Sequence, residues 1–462
     1  MRRINNQLLR NKNMMKKNSV CIAIISLAIS VNLTAQDAPK QWTLQQCIRY
    51  AQDHNIEVKQ NESNIEQKKI THNTDKFKWL PSLNANTGQN FDFGRSADRT
   101  GMIEDRNSSS SSLGVQMSIN LFNGLKTVNN TAASELSLKA AVEHLNKAKE
   151  DLSISITNYY VQVLYNKELE KVQLLQVEWT SKQVDRTRKN VNAGKSSVSE
   201  LYQIESQLAT DETSLLKAKN EVKLALLNLR QNLELERYDK DFEVITPAEG
   251  DVIEKYMGDI LMPDVIFDHA VTFKPQIKEQ QFLIEQQKKL LNVARADYLP
   301  KLSLNLNYNN YYYHNYSDDI NAPFSDQIDQ NQSKTIGFSL SIPIFNKFTI
   351  RNNIRSVKIN ILDSHLMMDE TKKQLYKEIQ QAFLSASNSQ QEYQSACKEV
   401  KANKIAFEFT DKKYTSGRIS VYEFNEAKTK YAQSLARQAQ AKYNYIFRVK
   451  ILDFYNGIPL VL

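Results

Sequence analysis

The chain has 462 residues, a formal charge of +8, and only 11 glycines and 9 prolines. Six of its basic residues (Arg2, Arg3, Arg10, Lys12, Lys16 and Lys17) lie in the first 35 positions beside no acid. The rest is therefore nearly balanced, which argues against a nucleic-acid partner. Glycine poverty argues against a phosphate-cradling loop, and no Gly-x-Ser-x-Gly or His-Glu-x-x-His motif is present. The six scattered histidines show no metal-ligand spacing, so no catalytic, cofactor or metal site is expected.

In chain order, residues 1–35 read as a secretory signal. A basic start precedes the apolar stretch from Val20 to Val31, and Leu33-Thr34-Ala35 offers a small residue for cleavage. Cys21 lies inside the apolar stretch, so a lipid anchor is not expected, and Cys47 and Cys397 alone make no disulfide framework. Nothing later is apolar enough for a transmembrane helix, so a membrane would have to be met with strands.

Residues 36–81 read as helices. Thr43 is a plausible N-cap for Trp42 to His54, and Leu44, Cys47, Ile48 and Ala51 share one face. A second helical stretch runs from Asn55 to Lys78. Residues 82–122 change to period two: Leu83, Ala85 and Thr87 alternate with small polar residues, and Leu113, Val115, Met117, Ile119 and Leu121 do so more cleanly. Residues 123–235 return to a helical period with no glycine or proline from Leu125 to Ala193, a run of 69 residues. A helix that long spans about 100 Å at about 1.5 Å per residue, so a helical hairpin or tube is expected over a compact domain. Leu145, Ala148, Leu152, Ile156, Tyr159 and Val163 form its packing seam. The lone Gly194 then turns the chain into a second, antiparallel helix from Val198.

Residues 236–264 read as a linker around the middle of the long helices, broken by Pro247, Gly250, Gly258 and Pro263. Then the pattern repeats. Residues 265–300 are helical, 301–345 a second hairpin, and 346–462 a second long helical pair turning at Gly417. Trp79-Leu80-Pro81-Ser82-Leu83 returns as Tyr298-Leu299-Pro300-Lys301-Leu302, and Ser118 to Asn123 returns as Ser341 to Asn346. The four strands are each about ten residues, the length of a tilted transmembrane strand. Their uncharged polar face suits a water-filled lumen, and Tyr308, Tyr311, Tyr312, Tyr313 and Tyr316 suit an interfacial aromatic girdle.

Four strands cannot close a barrel, and an open edge in lipid strands backbone groups without partners. Two, three or four copies give eight, twelve or sixteen strands. Eight leave no channel, so three copies are preferred. In a closed tube, Glu423 and Glu426, three residues apart on α-helical spacing, would form carboxylate rings that favour cations. The helix dipole alone accounts for Glu200, six residues after Gly194 as Glu423 is after Gly417.

The ordered duplication of helix, strand, strand and helix resembles the TolC-like outer-membrane efflux proteins over essentially the whole mature chain. The Leu-Pro-Ser-Leu and Leu-Pro-Lys-Leu strand entries, the Leu-Phe-Asn-Gly exit, and the turns Asn192-Ala193-Gly194-Lys195 and Thr415-Ser416-Gly417-Arg418 carry it. The resemblance implies a helix-dominated, internally duplicated fold with a transmembrane β-barrel portion. It implies a homotrimer in outer-membrane lipid of a Gram-negative bacterium, with a twelve-stranded barrel continuous with a twelve-helix periplasmic tunnel. It implies a non-enzymatic exit duct that docks a periplasmic adaptor and an inner-membrane pump.

The same resemblance puts Gly194, Lys195, Gly417 and Arg418 at the adaptor-docking turns and Glu423 and Glu426 at the constriction. It puts Tyr414, Arg418, Glu200 and Ser199 in the network that closes the tip. Ile419 stands where relatives carry an arginine two residues past the second glycine. The alternatives are a secreted periplasmic coiled-coil scaffold without a pore and, among ducts, a type I protein-secretion duct in place of drug efflux.

Overall fold

The computed structural model describes residues 41–97, 102–105, 107–235, 242–246, 260–316 and 321–461. The expected signal (1–35) and most of the expected linker (236–264) lie outside the described residues. After the short strand β1 (Gln41–Trp42) come α1 (Leu44–His54) and α2 (Ile56–Lys76). Thr43 caps α1 as expected. Its Oγ1 accepts from the Gln46 N–H at 3.2 Å, and the Gln46 side chain accepts from the Thr43 N–H at 2.9 Å, a reciprocal capping box. Strand β2 (Ser82–Asp92), the small ribbon β3 (Arg95–Ala97) and β4 (Ile103–Asp105), and β5 (Ser108–Phe122) follow, then α3 (Lys126–Asn192) and α4 (Val198–Asn232). The linker contributes β6 (Glu243–Val244), and after it come α5 (Pro263–Phe273), α6 (Pro275–Ala296), β7 (Lys301–Asn315), α7 (Phe324–Gln330), β8 (Ser333–Ser341), α8 (Thr349–Thr415) and α9 (Val421–Tyr455). No described helix is long and apolar enough to cross a membrane.

The main sheet has the antiparallel order β2-β5-β7-β8. Its register sorts chemistry by face. Asn84, Gln116, Asn307 and Thr335 form one row, and Asn86, Gly114, Asn309 and Ser333 the next. On the opposite face Leu83, Met117, Leu306 and Ile336 form a row, as do Ile119, Leu304 and Phe338. Such alternation is what separates a lumen from lipid. Strands β5 and β7 reach 15 residues, longer than expected, while β2 has 11 and β8 has 9. The extra length is Ser108–Ser112 on β5, which pairs with Tyr311–Asn315 on β7. Neither segment alternates, so only the pairing reveals them as strand.

Beyond the end of β8, loop amides complete the edge of β7. Gln327 accepts from the Tyr313 N–H and donates to its carbonyl, both at 2.9 Å. Asn321 does the same for Asn315 at 2.8 Å, and Asn331 donates to the Tyr311 carbonyl at 2.8 Å. The rest of the sheet stays open: one chain closes no barrel, and β2 and β8 are edges.

Each strand-to-helix passage uses two consecutive left-handed residues: Gly124 and Leu125 in the first copy, Lys347 and Phe348 in the second. A Cβ on Gly124 would lie 2.7 Å from the Ala296 carbonyl oxygen, so Gly124 fits both the φ and the space. The same junction carries an ion pair between the copies, Lys126 to Asp297 at 2.9 Å. Burial pushes the Asp297 carboxyl up, but Lys126 and Lys301 outweigh it and hold it below the usual carboxylate range. Lys347 sits at φ 53° without being glycine. Lys347→Gly is therefore expected to stabilise the fold by about 0.5–1 kcal/mol, the left-handed strain relieved less the added freedom of the unfolded chain. Gly124→Ala should cost about 2 kcal/mol. Denaturant midpoints in detergent check both.

The four long helices pack in the order α4-α3-α9-α8, with α6 filling against α3 and α8. Their core forms two main clusters, one on each hairpin. Ile156, Tyr160, Val163, Leu164 and Leu229 pack on Trp42, Leu44 and Cys47. Leu375, Ile379, Ala382 and Ala386 pack on Ile266, Ile277 and Tyr445. The described part of the linker joins the first cluster: β6 pairs parallel with β1, and the Tyr160 hydroxyl lies 2.8 Å from the Ile245 carbonyl and 3.2 Å from that of Trp42.

Lys274, at the α5–α6 junction, is 1% exposed. Its Nζ donates to Glu150 Oε2 at 3.0 Å and to the Phe454 carbonyl at 3.3 Å, 4.0 Å from the centre of the Phe454 ring. Burial pushes the Lys274 ammonium below its ordinary range, and Glu150 opposes that.

Candidate functional site

The end of the helical layer farthest from the sheet holds both glycine turns. Gly194 has φ 69° and Gly417 φ 72°. In each, the glycine N–H returns to the carbonyl three residues back and the next N–H to the carbonyl five back. The four bonds are Gly194 to Val191 at 2.9 Å, Lys195 to Asn190 at 2.8 Å, Gly417 to Tyr414 at 3.0 Å, and Arg418 to Lys413 at 3.0 Å. These are Schellman closures, which need a residue free to take positive φ. Ser197 and Ser420 then cap the returning helices, accepting from the Glu200 and Glu423 N–H groups at 3.1 and 3.2 Å. Lys195 and Arg418 are exposed.

Tyr414, one turn above Gly417, is gripped by α3. Its hydroxyl lies 3.5 Å from both Gln183 Nε2 and Thr187 Oγ1, and the Arg186 guanidinium lies 5.6 Å from its ring centre. Arg186 also donates to Thr415 Oγ1 at 2.8 Å and to the Thr415 carbonyl. An aromatic layer continues upward. Phe424 stacks on Tyr414 with centroids 4.7 Å apart, and Trp179, Phe407 and Tyr431 lie within 5.1–5.6 Å of one another. A groove of about 360 Å³ runs between α3 and α8 along these residues.

One layer higher lies a buried charge pair, Lys428 on α9 and Asp211 on α4, 1% and 6% exposed at their side chains and 2.9 Å apart. Thr180 on α3 sits between them, with its Oγ1 2.6 Å from both Lys428 Nζ and Asp211 Oδ2. Gln207 donates to the other carboxylate oxygen at 2.7 Å. Both oxygens of Asp211 are thus satisfied, as a buried carboxylate requires.

Among the expected closing residues, the structure places Tyr414 in a contact network but gives it partners on α3. Ser199 is exposed, and Glu200 lies partly buried in the first turn of α4; neither meets Tyr414 among the described residues of one chain, and Arg418 does not either. Glu423 and Glu426 are both exposed, three residues apart on α9. Glu426 pairs with Lys430 at 2.7 Å, and Glu423 accepts from the Ser420 hydroxyl at 3.4 Å. No group of three or more His, Cys, Asp or Glu among the described residues could hold a metal ion.

Sequence reasoning missed Arg186, Gln183, Trp179 and the Lys428–Asp211 pair. Lys428 did carry a signal. It stands four residues from Phe424 and four from Ala432, in the middle of an apolar stripe that is buried on both sides.

The family model described as "Outer membrane efflux protein" matches residues 48–233 and 268–455. No curated protein matches the chain. Among solved structures, the CmeC outer membrane channel of Campylobacter jejuni is similar at a TM-score of 0.72 and 19% identity, covering 90% of this chain and 85% of its own. VceC from Vibrio cholerae gives 0.71 and 14%, covering 90% and 96%. The MtrE channel of Neisseria gonorrhoeae, solved in an open state, gives 0.68 and 15%, covering 90% and 89%.

Proposed function

The chain belongs to the outer membrane efflux protein family, and from that premise we propose that it is the passive exit duct of a tripartite efflux system, working as a homotrimer. Members of the family are channels, and the chain is a transport protein of the outer membrane of a Gram-negative bacterium. The observation that carries the trimer is the matching pair of unfinished edges. The sheet ends at β2 and β8, and the helix layer ends at α4 and α8. Tyr202, Leu216, Leu224 and Leu227 are exposed on α4, and Leu384, Ile405 and Phe409 on α8. Joining β8 to β2 and α8 to α4 of the next copy covers both edges in one operation, a heterologous contact that closes as a ring. Three copies give a twelve-stranded barrel, wide enough for a pore where eight strands are not.

The polar rows of the sheet then line the outer-membrane lumen, and the helices form the periplasmic tunnel. The turns at Gly194-Lys195 and Gly417-Arg418 are the points at which a periplasmic adaptor, itself coupled to an inner-membrane pump, would dock. Tyr414 closes the tip, with Arg186 joining it, and Arg418, Glu200 and Ser199 act at the joints between copies. Trimer-sized conductance in planar bilayers, and resistance of the protein to carbonate extraction from membranes, test the duct. A protein that washes off with carbonate would be the pore-free scaffold instead.

Glu423 and Glu426 form the proposed cation-selective constriction. Divalent cations are expected to block the channel, and Glu423→Ala with Glu426→Ala to relieve the block. Because Lys430 occupies the Glu426 carboxylate, Lys430→Ala should strengthen it. Block that survives the double substitution unchanged would sink the assignment.

A further inference from the structure

Two of the five tyrosines expected in an interfacial girdle face the other way. On β7, Tyr308 stands opposite Val115 and Lys334, and Tyr312 lies 5.0 Å from Phe324, ring centre to ring centre. Both share the face of Leu304 and Leu306, because side chains alternate along a strand. A lysine beside a tyrosine at the end of an apolar row is the pattern of a membrane interface. Tyr311 and Tyr313 lie on the opposite face, in line with Asn305, Asn307 and Asn309. Their rings stack with centroids 6.4 Å apart and planes 15° from parallel. Among the described residues they are the only aromatic side chains on the polar face of the main sheet.

Their neighbours leave the rings open and the backbone fixed. On β5 the partners are Ser112 and Ser110, too small to cover an aromatic ring. On the other side β8 begins only at Ser333, opposite Asn309. Gln327 and Asn331 take its place and hold the backbone of Tyr313 and Tyr311. Tyr311 stays 45% exposed. A surface set before its ligand arrives binds at lower cost. Beyond the pair, Asp92, Ser108 and Asn315 form the next row, and Asp92 is exposed. Among the described residues, the polar face of the sheet carries one other charge, Lys301 at its far end, which pairs with Asp297 at 3.1 Å.

We propose that Tyr311 and Tyr313 form a platform inside the outer mouth that binds flat organic cations. Each ring offers its negative π-face to the cation and an offset stack to its ring system, and Asp92 supplies the opposite charge. In the tubular assembly proposed above, on which this inference rests, three copies set six rings and three carboxylates around the exit. The platform lies three to five residues past Tyr308, about 10–17 Å along the strand. It therefore meets solutes beyond the lipid interface, as they leave the duct.

The test is planar-bilayer recording of the assembled full chain carrying Glu423→Ala and Glu426→Ala, so that the proposed constriction does not contribute. N-methylacridinium is added on the side of the strand ends at Asp92. Tetrapropylammonium, a cation of the same charge without rings, is the comparison. N-methylacridinium should interrupt the current for times several-fold longer than tetrapropylammonium does. Tyr311→Ala with Tyr313→Ala should remove that difference, and Tyr311→Phe with Tyr313→Phe should keep it. Asp92→Asn should make the interruptions several-fold rarer at low salt, and an unchanged frequency would overturn the part given to Asp92. Equal residence of the two cations on the intact platform overturns the proposal and needs no change to the tyrosines. A difference that survives the double alanine substitution overturns it as well. Absence of any conductance from the unaltered protein would remove the duct reading and the platform with it, a result distinct from these.

Discussion

Leu304→Arg is expected to abolish stable insertion, while Asn305→Arg, one residue along, should leave insertion intact and shift the channel toward anions. The two positions lie on opposite faces of β7. Leu304 stands opposite Ile119 and Phe338, and Asn305 opposite Ser118 and Gly337. An arginine facing lipid near the midplane of a barrel costs about 2–4 kcal/mol. In the proposed trimer that cost is carried three times over, which is comparable to the whole stability of a typical domain. On the lumen face the same side chain is solvated, and its charge acts on permeating ions. Carbonate extraction reads the first outcome, and the reversal potential under a salt gradient reads the second. Normal insertion of Leu304→Arg would mean that the apolar rows do not face lipid.

Glu150→Ala should cost about 3–5 kcal/mol, and Lys274→Met much less. The asymmetry comes from which charge is left behind. Lys274 is almost fully enclosed, so removal of Glu150 leaves its ammonium with the Phe454 carbonyl and a box of the Phe273, Phe454 and Tyr455 rings, and with Asp151 and Glu378 acting only through charge. Glu150 is partly exposed, so when Lys274 is replaced its carboxylate turns to water, and methionine fills the aromatic box. The deficit of Glu150→Ala also has a pH signature. The folded-state pKa of Lys274 already lies below its unfolded value, so in that interval the unfolded chain binds the extra proton and stability rises with pH. Without Glu150 to oppose burial the folded pKa falls further, and the deficit should shrink as pH is raised toward the ordinary lysine range. Thermal melts of both variants at neutral and alkaline pH check the size and the sign.

Much of the architecture was legible because each element has its own period. The shift from period 3.6 to period two marked β2 and most of β5, β7 and β8, and the lone glycines marked both tight turns. What failed to show was strand without alternation. Ser108–Ser112 is polar at every position, and only its register against Gly88 to Asp92 and Tyr311 to Asn315 makes it a strand. The tip was illegible for a different reason. The partners of Tyr414 lie more than 200 residues away, on the other copy, and no local pattern announces a contact between repeats. Lys428 was the exception, a charge in an apolar stripe whose partner could have been sought.

The two hairpins have identical helix lengths: 67 residues in α3 and α8, 35 in α4 and α9. That equality constrains how such a gene can change. A single inserted residue would lift everything beyond it by about 1.5 Å and swing it by about 100°, turning one seam away from its neighbour and setting one turn below the other. Substitutions can accumulate along the exposed faces of the helices, but length can change only in concert. A viable insertion must restore the helical phase, as seven or eleven residues do, and it must be matched in both arms of a hairpin and in both hairpins. The gene can therefore drift at exposed helix positions while its helix lengths stay locked together.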